Sequence, residues 1–206
     1  MNHKKYIGVT THFKASRCDD GSVDWVFQFE QEELLPKYIN EFKSVAKERG
    51  VKYRLRNTPL PASDGHVAMT REQEEEYAAR TAAEHKQNEK PGVLADVSLH
   101  FINTLQFVKD GSRPDVNFAI RYLQVMGIKW TTYSDKCLSW LVGYLEQTKA
   151  KYWHGFVNSY DIAQGLCYLL LETDASHSAE RMERKGVTGY NIILRGPRTS
   201  MLLEAH

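Results

Sequence analysis

The chain has 206 residues, 42% of them hydrophobic and 26% charged, a balance suited to a soluble protein of one large or two small domains. Its 27 Lys and Arg nearly cancel 26 Asp and Glu, so no global basic field argues for non-specific nucleic-acid binding and only a local patch remains open. Three cysteines with no CxxC argue against a disulfide or zinc framework and fit a reducing, intracellular compartment. The polar start MNHKKYIG carries no signal-type apolar core, and no run approaches a membrane span.

In chain order, Ile7, Val9, Thr11 and Phe13 alternate with other residues, as do Val23, Trp25, Phe27 and Phe29, and an Asp-Gly turn in DDGS lies between them. This pattern predicts a β-hairpin. EELLPKYINEFKSVAKERG then places Leu35, Tyr38, Ile39, Phe42, Val45 and Ala46 on one helical stripe, with Pro36 in the first turn and Gly50 as the C′ residue. NTPLPASDGH is turn-rich, and half of REQEEEYAARTAAEHKQNEK is charged, so residues 61–91 are expected to be a linker or a solvated surface helix.

Apolar residues return from position 92. Ser112 and Asp115 have capping-box spacing ahead of the stripe Val116, Ala119, Ile120 and Leu123, and Gly127 follows. A second helix is expected from Thr132, with Asp135 three residues on, carrying Leu138, Leu141, Val142 and Leu145, so the two form a helical hairpin. Beyond residue 155, GLCYLLLETD, VTGYNIILRG and SMLLEA read as strands separated by polar turns. The expected class is α+β.

The motif order resembles the reverse-transcriptase to ribonuclease H junction of copia-type LTR retrotransposon polyproteins, over nearly the whole chain. The resemblance rests on YIGVTTHF and WVFQFEQEEL, on Thr58-Pro59, and on an apolar segment leading into Arg113-Pro114-Asp115. It continues through Trp130, Tyr144-Leu145 and Thr148 to ETDASHSAERMERKGVTGYNIILRGP. It implies a palm-edge hairpin and helix over 1–60, thumb- or connection-like helices over 92–155, and the truncated start of a ribonuclease H-like antiparallel sheet over 156–206. It also implies an RNA-directed DNA polymerase and ribonuclease H that acts on RNA and DNA with Mg²⁺, alongside other segments of the polyprotein, in cytoplasm or nucleus. Arg113, Pro114 and Asp115 become a structural motif of a scaffold helix.

Two-metal phosphoryl transfer needs clustered carboxylates, in such polymerases an aromatic-x-Asp-Asp turn. That turn is missing, and the resemblance would put it just before Tyr6. Asp19-Asp20 lacks the aromatic residue and sits in the hairpin turn. Asp174 matches the first ribonuclease H carboxylate, a vestigial Mg²⁺ ligand at most, whereas Glu180, Glu183 and Glu204 match no motif position. The expectation is an incomplete enzyme that binds no cofactor alone. The alternative is a non-catalytic nucleic-acid- or protein-binding module of the same origin.

His12, His66, His100, His154 and His177 show no metal-ligand spacing, and Cys137 on the second helix reads as a buried structural thiol. No P-loop, nucleophile elbow or dinucleotide fingerprint occurs. Trp130, Tyr133, Trp140, Tyr144, Tyr152 and Trp153 cluster around that helix. Beside Lys129, Lys136, Lys149 and Lys151 they form a candidate nucleic-acid surface, against the plainer reading of core plus interface.

Overall fold

The computed structural model describes residues 2–6, 8–61, 90–176 and 187–205, which form a mixed α+β chain of two compact units. The first unit comprises residues 1–32, 110–117 and 152–206 and holds a sheet of seven strands. These are β1 (Asn2–Tyr6), β2 (Val9–Arg17), β3 (Val23–Glu30), β4 (Trp153–Asn158), β5 (Tyr168–Ser176), β6 (Val187–Arg195) and β7 (Ser200–Ala205). Their order is β1-β2-β3-β4-β7-β6-β5, and every pairing is antiparallel.

The predicted hairpin is β2–β3. Its turn closes through the Cys18 N–H to the Ser22 carbonyl at 2.8 Å, and Gly21 supplies the required positive φ of 85°. Asp20 caps this turn by accepting from the Ser22 N–H at 3.0 Å and the Ser22 hydroxyl at 2.6 Å. β5, β6 and β7 form the predicted three-strand meander.

β4 was not legible as a strand. It joins the two halves by pairing with β3 from Asp24↔Asn158 to Phe29↔Trp153, and the Phe29 and Trp153 rings lie 4.9 Å apart. Strands from the segments 1–60 and 156–206, drawn from sequence as separate, therefore share one sheet through β4. Long-range strand pairing leaves no trace in local periodicity.

The second unit, residues 33–109 and 118–151, is helical. Its helices are α1 (Leu34–Glu48), α2 (Ser98–Gly111), α3 (Asn117–Met126) and α4 (Thr132–Gln147), whose outermost residues at α2 and α3 fall in the first unit. A short α5 (Ser159–Ala163) belongs to the sheet unit. α1 buries Leu35, Tyr38, Ile39, Phe42 and Ala46, and Gly50 follows it at φ 70° as the expected C′ residue. Edge-to-face contacts of Phe101 with Tyr38 and Phe42, at 5.7 and 5.3 Å, lock α1 against α2. Each such fully buried side chain contributes about 1.5–3 kcal/mol. α2 has apolar residues all round, with Leu99 and Phe107 exposed, so its sequence shows no single helical face.

The first predicted helix starts later than expected, and the second begins at Thr132 as expected but with a different cap. Ser112 does not cap α3. Its hydroxyl donates to Gln31 Oε1 at 2.7 Å, the chain makes a 3₁₀ turn over Pro114–Val116, and α3 starts at Asn117. α4 is capped by Thr131 rather than Thr132, through a reciprocal box with Ser134, which frees Asp135 for other partners. Arg113 is 1% exposed and grips Asp115 through Nε and Nη2, both at 2.8 Å. Residues 62–89, most of the predicted linker, and 177–186, the basic loop, lie outside the described residues. Among the described residues no helix is long and apolar enough to cross a membrane.

Candidate nucleic-acid interface in the helical unit

Residues 51–57 form an extended segment along α4. The Ser139 hydroxyl donates to the Lys52 carbonyl at 2.6 Å, and the Arg56 N–H donates to the Gly143 carbonyl at 3.3 Å. Gly143 permits this approach, because a Cβ there would lie 2.1 Å from the Arg54 carbonyl oxygen. The segment thereby sets the Arg56 guanidinium 3.7 Å over the Trp140 ring, while the indole N–H donates to Thr58 Oγ1 at 3.2 Å.

Between this segment, the start of α4 and residue 93 lies a cleft of about 430 Å³, lined among others by Arg49, Lys52, Arg56, Lys136, Asp135 and Trp140. Four cations face one carboxylate, and that carboxylate is already engaged. Asp135 accepts from the N–H groups of Val93 (2.7 Å) and Leu94 (3.1 Å) and from the Trp130 indole (2.7 Å). Arg49 is held by Asp96 and by the Val93 carbonyl. Lys52 and Lys136 are exposed and form no ion pair among the described residues, and Arg56 is half-buried with its guanidinium over the indole. Such a set suits phosphate contacts beside a stacking surface.

At the end of α4, Glu146 accepts from Tyr53 Oη at 2.6 Å and Lys43 Nζ at 2.9 Å. Burial would raise its pKa, but these hydrogen bonds and the charges of Lys43 and Lys149 outweigh it and hold the carboxyl below its ordinary 4.5. A depressed folded-state pKa contributes stability that is complete above the unfolded value and is lost as pH falls through the folded one. Glu146→Gln is therefore expected to cost about 1 kcal/mol at pH 7. The gap between variant and parent closes below about pH 4.5, and urea titrations at both pH values measure it. A gap that persists undiminished in acid would contradict this.

Of the four lysines picked out by sequence, the cleft takes Lys136 only. Lys129 is exposed in the 3₁₀ turn Gly127–Lys129, and Lys149 and Lys151 are exposed beyond α4. Trp130 and Tyr144 are buried core, Tyr133 and Trp140 are half-buried on α4, and Tyr152 and Trp153 belong to the sheet unit, so the six do not form one surface. Arg49, Lys52 and Arg56 were missed, although the spaced cations of RGVKYRLR carried the signal. Cys137 is fully buried, and burial pushes its thiol up to about 11, as suits a structural residue.

Of the carboxylates weighed in the sequence, Glu180 and Glu183 lie outside the described residues. Asp174 lies on β5, the last strand of the sheet order, with its Cα paired to Gly189; its side chain is outside the described residues. Glu204 on β7 accepts from the Tyr190 hydroxyl at 2.7 Å. Asp20 is committed to its turn and to Arg198, which with Ser22 holds its carboxyl well below the usual carboxylate range. Among the described residues Asp20 and Glu204 are thus each engaged by another side chain, whereas a two-Mg²⁺ centre needs several carboxylates converging on the ions. No protein-family model matches the chain, and neither a curated protein nor a solved structure does.

Proposed function

We propose that this chain is the junction between reverse transcriptase and ribonuclease H of a copia-type retroelement polyprotein, and that it engages nucleic acid without turning it over. The observation that carries the binding half is the cleft at α4, where Lys52 and Lys136 flank an Arg56 guanidinium stacked on Trp140. Phosphates neutralise the lysines, and a splayed base lies on the guanidinium plane. The origin is supported by the motif order and by the antiparallel meander β5-β6-β7, which follows the helices as a ribonuclease H start would, with Asp174 near the end of its first strand. The palm-edge, thumb and ribonuclease H labels belong to this reading.

Fluorescence anisotropy with a labelled single-stranded oligonucleotide and with an RNA–DNA hybrid tests it. The logarithm of the binding constant is expected to fall linearly with the logarithm of salt concentration, with a slope of about −0.7 per single-strand phosphate neutralised. Lys136→Glu is expected to weaken binding about tenfold, since reversing a charge costs more than losing one contact, whereas Lys149→Glu, outside the cleft, has a smaller effect. Equal effects of the two substitutions, or binding indifferent to salt, would refute the assignment. Primer extension or hybrid cleavage by this chain with Mg²⁺ would overturn the absence of turnover.

A further inference from the structure

In an antiparallel sheet, residues in register share a face, and so do alternate residues along a strand. His12 on β2 is in register with Gln28 on β3, and Glu30 and Glu32 follow Gln28 at steps of two. Three potential ligands far apart in sequence thus meet at the open end of the hairpin. One ligand atom from each of His12, Glu30 and Glu32 lies within 4.8 Å of the other two.

From this geometry we infer that His12, Glu30 and Glu32 form a binding site for a divalent transition-metal ion of the zinc class. His12 Nε2 and Glu30 Oε2 are 3.4 Å apart. That separation lies within the span of two ligands on one metal ion. Imidazole among the donors favours zinc over Mg²⁺. Glu32 is exposed just past the strand end, with its ligand atom within 4.8 Å of the other two.

The two better-buried ligands are already supported. The side chains of His12 and Glu30 are 19% and 13% exposed, and the Gln28 amide donates to Glu30, the kind of outer contact that orients a metal-bound carboxylate. Charge points the same way. The charged neighbours of Glu30 are His12 and Glu32, and no Lys or Arg forms an ion pair with either carboxylate among the described residues. Two adjacent carboxylates with only an imidazole between them favour a cation. The site is remote in register from the ribonuclease H motif, because β5 and β2 are separated by four strands of the sheet.

Calorimetric titration of the full chain with Zn²⁺ after chelator treatment, and Co²⁺ absorption as a spectroscopic substitute, test the inference. One equivalent is expected to bind. His12→Ala and Glu32→Gln are each expected to weaken binding by about tenfold or more, and an equal concentration of Mg²⁺ should not displace the ion. Glu32→Gln alters only an exposed side chain past the strand end, so it reads binding even where His12→Ala disturbs the sheet. Absent binding, Zn²⁺ affinity unchanged in Glu32→Gln, displacement by Mg²⁺, or a cobalt–thiolate band placing the ion on Cys18, Cys137 or Cys167 would each overturn it.

Discussion

Asp135→Ala is expected to destabilise the helical unit by about 4 kcal/mol, the largest effect of any single substitution considered. Asp135 is 5% exposed, and its carboxylate satisfies three donors, the N–H groups of Val93 and Leu94 and the indole N–H of Trp130. Leu94 is fully buried and Trp130 is 8% exposed, so truncation strands two donors where water does not reach. Each unsatisfied buried donor costs about 1–3 kcal/mol, and bonds to a charged acceptor lie at the strong end. Val93, on the cleft, recovers water and adds less. Asp135→Asn retains one acceptor oxygen but turns its amide toward a backbone N–H, so about half the loss is expected. Urea unfolding followed by tryptophan fluorescence measures both variants. A loss below about 1 kcal/mol for the alanine variant would mean that these bonds do not hold Val93, Leu94 and Trp130 to α4.

Gly143→Ala sets two known effects against each other. Alanine in a helix interior is favoured over glycine by about 1 kcal/mol, so propensity alone predicts a gain. At this position, however, the added methyl would lie 2.1 Å from the Arg54 carbonyl oxygen, and backbone has no rotamer with which to yield. Overpacking of this kind costs about 1–3 kcal/mol, and displacing the segment also breaks the bond from the Arg56 N–H to the Gly143 carbonyl. The expected outcome is a net loss of about 2 kcal/mol, with reduced oligonucleotide affinity because Arg56 leaves Trp140. A peptide of residues 132–147 carrying the same change should gain helicity. Stabilisation of the intact chain would show that the segment is not pinned on α4.

Features set by neighbours along the chain were legible in the sequence. Alternation plus Asp-Gly announced β2–β3, the apolar stripe announced α1, and polar turns separated β5, β6 and β7. Features set by neighbours across the fold were not. WHGFVN is too short and too mixed to declare itself, and becomes β4 by pairing with β3. Asp135 has the spacing of a capping residue, but Thr131 and Ser134 make the box and leave it to tie a loop. His12 has no ligand partner at the spacings a helix or a metal motif would give. Between strands, ligand spacing is dictated by register, and His12 meets Glu30 only once Thr10 is opposite it.

The stretch GSRPDV bears on the order in which this chain folds. Residues 110–117 belong to the sheet unit although helical segments precede and follow them in sequence. There Ser112 donates to Gln31, just past β3, and its carbonyl accepts from the N–H of Trp153, the first residue of β4, at 3.1 Å. Bringing β3 to β4 directly means closing one loop over the whole of residues 31–152, an entropic cost unrelieved until the strands pair. Anchoring at Ser112 divides that closure into two shorter ones. By contact order, distant strand pairing is expected to be slower than local helix formation, which predicts that Ser112→Ala slows refolding more than it speeds unfolding.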